Sequence, residues 1–116
     1  MGRSPGEFEQ LLMFAVLDLE DRAYGVSIRR RIEERTGREI SPGAVYTALE
    51  RLESRGFVSS SLGEETPARG GRRKKFYRLE PEGAAVLQTT YRSVTRMAEG
   101  LLPRLAELAE GAGEGS

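Results

Sequence analysis

Apolar residues recur at helical spacing in three segments of the first 55 positions, and the first segment is the most apolar. Between Phe8 and Leu19 they stand three or four residues apart, which predicts a helix with one apolar stripe. The run Ser4-Pro5-Gly6-Glu7 predicts its start, with the serine as N-cap and the glutamate completing a capping box. Residues 11–17 include no polar side chain, so this helix needs cover on more than one side, and we expect a second chain to supply part of it.

Two shorter helices follow, and each has sequence signals for its ends. The second is predicted from about residue 24 to Thr36, with Gly37 as the left-handed residue after it. The third begins where Ser41-Pro42 repeats an N-cap and first-turn signal, and it reaches about Arg55. Two short helices separated by a few residues are typical of a helix-turn-helix. The inward side of the third helix is predicted to consist of Val45, Ala48, Leu49 and Leu52.

After Gly56 the pattern changes from helical spacing to short extended segments. Residues 57–62 and 74–79 predict two strands, and the loop between them, residues 63–73, contains three glycines and a proline. Two strands joined by a basic loop directly after the third helix are typical of the wing in a winged helix-turn-helix.

The last apolar pattern runs from Leu87 to Leu108 in alternating steps of four and three residues. This heptad spacing predicts a helix from about 81 to 110 that pairs with a second copy. Gly100 and Pro103 interrupt it, and because a proline inside a helix costs about 3 kcal/mol, we expect a kink or break at 100–103. The predicted fold is mainly α. It consists of a winged helix-turn-helix for DNA binding (three helices plus a two-stranded β wing) at 1–80, a C-terminal dimerisation helix at 81–110, and a flexible tail at 111–116.

The composition excludes several classes of function. The 116 residues include no cysteine and no histidine, which excludes disulfides and histidine-activated nucleophiles and removes the usual zinc ligands. We therefore expect no enzyme and no cofactor, although carboxylate-only or Ser–Lys chemistry stays open. No apolar run approaches the roughly 18 residues of a membrane span, and the N-terminus has no signal-peptide pattern. We expect a cytoplasmic protein without a membrane partner.

Charge is balanced over the whole chain but separated along it. Residues 1–21 carry five acids and one arginine, residues 69–78 carry six bases and no acid, and residues 79–116 carry six acids and three arginines. Because salt screens charges beyond about 8–10 Å, a basic surface can bind a polyanion although acids lie elsewhere.

Five stretches occur in an order and spacing that are found together in one family of regulators. They are Ala23-Tyr24-Gly25-Val26-Ser27-Ile28, Ser41-Pro42-Gly43-Ala44-Val45-Tyr46, Leu49-Glu50-Arg51-Leu52-Glu53-Ser54-Arg55-Gly56-Phe57-Val58, Arg73-Lys74-Lys75-Phe76-Tyr77-Arg78-Leu79 and Glu82-Gly83. In these stretches the chain resembles the PadR family of transcriptional regulators, in its smaller subgroup with a single C-terminal helix. It departs at Thr47, where the family usually has proline, and at Glu80, where it usually has threonine. The resemblance implies a dimeric repressor whose last helix pairs the subunits and which a small molecule often releases from DNA.

The winged-helix prediction assigns two regions to double-stranded DNA. A recognition helix places its N-terminal residues against base edges in the major groove, and basic wing residues suit the minor groove or the backbone. We expect the two regions to form one continuous positive surface. The predicted DNA-binding residues are Ser41, Gly43, Ala44, Tyr46, Thr47 and Arg51 in the third helix and Arg72, Arg73, Lys74 and Lys75 in the wing.

The first and last helices are predicted to form the homodimer, although some of their apolar residues could pack within one chain instead. The predicted contact residues are Phe8, Leu12, Leu87, Tyr91, Val94, Met97 and Leu101.

Other interpretations stay open at the level of sequence. Arg29, Arg30 and Arg31 could contact phosphates or form ion pairs with Glu33 and Glu34. The basic loop could be a solvated or membrane-surface segment, and the third helix an ordinary amphipathic helix. The whole chain could also be a protein-interaction module, or a winged-helix regulator of another family such as the multidrug-repressor type.

Overall fold

Helices and strands follow one another in the predicted order, with one extra helix at the C-terminal end. The computed structural model describes residues 4–63 and 73–114. Its elements are α1 (Glu7–Leu19), a 3-10 turn (Glu20–Arg22), α2 (Gly25–Thr36), α3 (Pro42–Ser54), β1 (Val58–Leu62), β2 (Lys75–Leu79), α4 (Pro81–Ala98) and α5 (Leu102–Glu114). The predicted winged-helix architecture, mainly α with one two-stranded antiparallel sheet, is confirmed.

The ends of α2 and α3 are those that the sequence predicts. Gly37 follows α2 with a left-handed φ of 73°, and its N–H donates to the Glu33 carbonyl at 2.9 Å. The Ser41 hydroxyl caps α3 by accepting from the Ala44 N–H at 3.2 Å. These signals succeed because each acts within one turn of the helix that it ends.

The start of α1 differs from the prediction. The N-cap is Gly6, and its N–H donates to the Glu9 carboxylate at 3.1 Å, so Ser4 and Glu7 do not form the capping box. Pro5 is buried, and its carbonyl accepts from the Gln10 side chain at 3.1 Å. The helix therefore begins two residues later than the sequence signal at Ser4 predicts.

One hydrophobic core joins the three N-terminal helices, the sheet and the first half of α4. The predicted inward side of α3 is confirmed, since its four residues are all buried. On α1 the apolar residues outside the core stripe, Phe14 and Leu17, remain exposed in the single chain. The largest fully buried side chains are Leu12, Met13, Val16, Ile28, Val45, Leu49, Leu52 and Val58.

The wing is attached to the start of α2 as well as to itself. β1 and β2 pair antiparallel, from Val58 opposite Leu79 to Leu62 opposite Lys75. Tyr24 forms an isolated bridge with Phe76, and the Tyr77 N–H donates to the Ala23 carbonyl at 2.7 Å. An isolated hairpin is marginally stable in water, so this third strand-like contact holds the wing at a fixed angle to the helices.

The predicted break near 100–103 is confirmed. α4 ends at Ala98, Gly100 adopts a left-handed φ of 76°, and Pro103 is the second residue of α5, where a missing N–H costs no helical bond. The sequence predicts a flexible tail from 111, but residues 111–114 continue α5, because each residue added to an existing helix gains a backbone hydrogen bond. The last two residues lie outside the described part.

Candidate nucleic-acid interface

The outward side of α3 is exposed to solvent. Gly43, Ala44, Tyr46, Thr47 and Arg51 are exposed, while Val45, Ala48, Leu49 and Leu52 face inward. This arrangement follows from the 3.6-residue period, which separates the buried stripe from an opposite face available to a ligand.

The N-terminus of α3 leaves one backbone donor available. Pro42 has no N–H, and the Ala44 N–H is used by the Ser41 cap. Among the described residues no acceptor bonds to the Gly43 N–H, and no atom lies within 4 Å of the position that a Cβ would take there. A phosphate oxygen could approach this N–H at the positive end of the helix dipole.

Tyr46 lies across the start of α2. A Cβ at Gly25 would lie 2.4–2.6 Å from the Tyr46 hydroxyl and ring atoms, so the tyrosine occupies space that only a glycine leaves open. The ring is still 47% exposed. Gly25 therefore sets the direction in which Tyr46 faces solvent.

The basic residues of the wing have partners within the fold. The Arg73 Nε donates to the Gly63 carbonyl at 2.8 Å, and the Lys74 Nζ lies 4.3 Å from the centre of the Tyr24 ring. The Lys75 Nζ lies 3.5 Å from a Glu53 carboxylate oxygen. All three basic side chains are exposed. Arg72, the fourth predicted wing residue, lies outside the described residues.

Contacts between side chains connect the wing directly to α3. Lys75 pairs with Glu53 of α3, and the Ser60 hydroxyl of β1 donates to the same carboxylate at 2.5 Å. Tyr77, on the same face of β2 as Lys75, is buried, and this burial raises the pKa of its hydroxyl above the ordinary value of 10.0. α3 and the two strands of the wing therefore form one surface.

The sequence predicts one continuous positive surface here, but the surface also carries two carboxylates. Glu50 and Glu53 both lie on α3, and Lys75 neutralises only Glu53. The basic segment at 72–75 gave no indication of this pairing, because Glu53 precedes Lys75 by 22 residues in sequence.

The three consecutive arginines of α2, residues 29–31, have different surroundings. Arg29 pairs with Glu33 at 3.4 Å, and Arg31 pairs with Asp18 and Glu34. The hydrogen bond from Arg31 holds the pKa of the Asp18 carboxyl below its usual value of 3.8. Arg30 is exposed and forms no ion pair among the described residues.

The predicted dimer residues divide into two groups. Leu12 is 0% exposed and Leu87 is 3% exposed, so both belong to the core of the single chain and have no surface to offer a partner. Phe8 is partly buried against the same core. The other four are exposed and lie toward the C-terminal end: Tyr91, Val94, Met97 and Leu101.

The sequence analysis missed two residues that shape these surfaces. Tyr24 holds Lys74 over its ring and meets the Phe76 ring edge-on at 5.6 Å. Phe14 meets the Tyr91 ring edge-on at 6.0 Å and joins α1 to the exposed side of α4. The signal for Phe14 was its position outside the apolar stripe of α1.

Comparison with known proteins identifies the family. The model of the transcriptional regulator PadR-like family matches residues 13–89, which include α2, α3, the wing and the start of α4. The chain belongs to this family. The predicted resemblance is confirmed, and so is the expectation that the protein is not an enzyme, since PadR-like proteins regulate transcription through DNA binding.

Solved structures agree with this assignment to the PadR-like family. A PadR family transcription regulator from Clostridium difficile is 26% identical, with a TM-score of 0.68 over 84% of this chain and 98% of that one. A PadR family regulator from Eggerthella lenta is 26% identical, with a TM-score of 0.66 over 85% and 86%. A transcriptional regulator from Clostridium thermocellum is 26% identical, with a TM-score of 0.66 over 78% and 82%. No curated protein matches this PadR-like chain.

One finding bears on the membrane. Within 4–63 and 73–114, every helix of this PadR-like protein is too short or too polar to cross a bilayer.

Proposed function

We propose that this PadR-like regulator binds an inverted-repeat operator as a homodimer and represses transcription until a small molecule releases it. Each subunit would place α3 in a major groove, with the two helices about 34–36 Å apart, and the wing beside the adjacent backbone or minor groove. The protein would act in the cytoplasm, where the chromosome lies. In this scheme residues 1–80 bind DNA and residues 81–110 pair the subunits.

The observation that carries the DNA-binding proposal is the contact between the wing and α3. Lys75 and Glu53 join them, so the helix that exposes Tyr46 and Thr47 is connected to β2, which directly follows Arg73 and Lys74. Ser41, Gly43 and Ala44 at the helix N-terminus would contact phosphate, while Tyr46 and Thr47 would contact phosphate or base edges, and Arg51 and Arg72 would add positive charge. Direct contact to base edges gives sequence preference, and contact to phosphates gives affinity.

The proposed dimer surface is the apolar side of α4 and α5. Its α4 part consists of Tyr91, Val94 and Met97, and Leu101 follows directly. Leu105 and Leu108 continue the same side along α5. Exposed apolar surface of this extent on one side of two helices favours burial by a partner. Phe8 and Phe14 on α1 would lie at the margin of this contact.

The proposal that a small molecule releases the protein from DNA rests mainly on its membership of the PadR-like family. A groove of about 390 Å³ between α1 and α2, lined in part by Leu11, Phe14 and Ile32, has the size of known ligand pockets and lies near the proposed dimer surface. A ligand there could change the angle between the subunits.

Selection of bound duplexes from a random pool tests the proposal. We expect the selected duplexes to contain an inverted repeat. If each subunit neutralises three or four phosphates, log affinity should fall against log salt with a slope of roughly −5 to −7. A slope near zero contradicts the proposed binding.

A matched pair of variants tests the wing. Replacing Arg73, Lys74 and Lys75 by Ala should weaken binding to all duplexes similarly and make the salt slope shallower. Replacing Arg92, Arg96 and Arg104 by Ala removes the same charge from α4 and α5 and should leave the slope unchanged. If the two triple variants had equal effects, the wing would contribute to binding only through the net charge of the protein.

A further inference from the structure

The outward side of α3 carries an acidic residue that the proposed contacts do not use. Glu50 follows Tyr46 by four residues and Thr47 by three, so the three side chains share one face of the helix. All three are exposed. Among the described residues, no arginine or lysine nitrogen lies within 4.0 Å of the Glu50 carboxylate.

The second glutamate of this helix is in the opposite situation. Glu53 is partly buried against the two strands of the wing, where it accepts from Ser60 and pairs with Lys75. Its charge is neutralised by the fold and it has no free oxygen directed at a ligand. One turn of helix therefore separates a structural carboxylate from a carboxylate that faces solvent.

A free carboxylate on a DNA-binding surface has a physical cost. It repels phosphates and so lowers the affinity for every duplex. The cost is offset only where the carboxylate accepts a hydrogen bond from a base. In the major groove cytosine presents its N4 amino group, which is the donor that Glu and Asp accept from.

We infer that Glu50 determines specificity by accepting a hydrogen bond from cytosine N4 at one position of each half-site. This inference rests on the proposed function, because it requires α3 to lie in the major groove. Glu50 then acts mainly against wrong sites: a duplex without the amino group at that position leaves the carboxylate desolvated and unpaired.

Duplex selection with the wild type, Glu50→Ala and Glu50→Gln tests the inference. The wild type should select cytosine at one fixed position of each half-site. In Glu50→Ala this preference should disappear, and the ratio of affinities for the cytosine and non-cytosine duplexes should fall by about 5- to 150-fold. In Glu50→Gln the preferred base should change to adenine, because a carboxamide pairs with adenine N6 and N7.

A matched variant separates base recognition from charge. Glu110→Gln removes one carboxylate from α5, far along the chain from α3, and should leave both the selected base and the affinity for random duplex unchanged. Glu50→Ala and Glu50→Gln should raise the affinity for random duplex.

Two results would overturn the inference, and they are distinguishable. If the wild type and Glu50→Ala bind duplex and select the same bases at every position, Glu50 is not a specificity residue and the proposed function stands. If the wild type binds no duplex in the selection, the proposed function fails and the inference fails with it.

Discussion

α4 and α5 together form a C-terminal helical arm. The two halves of α4 have the same apolar spacing but different surroundings. Leu87 in the first half of α4 is 3% exposed, because it packs into the hydrophobic core. Met97, ten residues later on the same helix, is 75% exposed. Heptad spacing therefore identifies the apolar side of a helix, and the reach of the globular core decides which part of that side is covered within the chain.

The same contrast between covered and uncovered residues of one type recurs elsewhere in the molecule. When both residues of such a pair are substituted in turn, the difference between the two effects measures what the surroundings of the covered residue contribute.

The largest difference is expected between Leu87→Ala and Met97→Ala. Leu87→Ala should lower the free energy of unfolding by about 2–5 kcal/mol, since it leaves a cavity in the core. Met97→Ala should change the stability of the monomer little and weaken the dimer. Urea denaturation at two protein concentrations, with sedimentation to measure association, separates the effects. If both variants changed only the association of subunits, Leu87 would not contribute to the stability of the single chain.

Two glycines of the arm give the next largest difference. A Cβ at Gly83 would lie 2.2 Å from the Phe57 carbonyl oxygen, so Gly83→Ala must move α4 off the hairpin and should cost about 1–3 kcal/mol. At Gly111 no atom lies within 4 Å of that position, and Gly111→Ala should stabilise α5 by roughly 0.5–1 kcal/mol. Thermal denaturation measures both, and equal effects would contradict the close approach at Gly83.

A smaller effect, on DNA affinity rather than on folding, is expected at Gly25. Gly25→Ala should displace the Tyr46 ring and lower the affinity for the selected duplex by about tenfold, the size of one charge-assisted hydrogen bond. Gly43→Ala adds a methyl group where no atom of the chain lies within 4 Å, and it should leave the fold unchanged. Fluorescence anisotropy on the selected duplex, with circular dichroism to check folding, measures the difference. A Gly25→Ala variant that binds normally would show that the Tyr46 ring position is not needed.

The smallest effect concerns the stability at acid pH. Arg31 lowers the pKa of Asp18 in the folded protein, so the contribution of this pair is present above the ordinary pKa of 3.8 and is lost as the pH falls through the lowered value. In Asp18→Asn, stability should therefore decline less between neutral and acid pH than in the wild type. Asp21, which has no ion pair among the described residues, is the control, and Asp21→Asn should follow the wild-type profile.

Local signals predicted the fold well. Ser41-Pro42, Gly37 and the Gly100–Pro103 interruption each act within a turn or two of the chain, and each marks a helix end where the sequence places it. The predicted start of α1 was wrong, because the local signals did not distinguish between two possible caps. Ser4 and Gly6 are both acceptable caps, and in the structure Gly6 is the cap and Pro5 before it is buried.

The sequence predicts which helix and which strands form the candidate site, but not the side-chain contacts between them. The period of α3 gives its outward residues, but the pairing of Lys75 with Glu53 and the position of Tyr46 over Gly25 join residues that are 21 or 22 positions apart. Leu12 and Leu87 were assigned to the dimer for a related reason: their spacing matches that of the exposed residues, and only the packing of the single chain distinguishes the two groups.

The left-handed backbone at Gly100 has a consequence for partner choice. Straight helices that share a heptad pattern can pair with one another, so related regulators in one cell tend to form mixed pairs unless something discriminates between them. An arm that bends at Gly100 is matched along its full length only by an arm with the same bend. In the proposed dimer, a straight partner would cover α4 or α5 and leave the other in water, so the bend at Gly100 would favour pairing with a second copy of this chain.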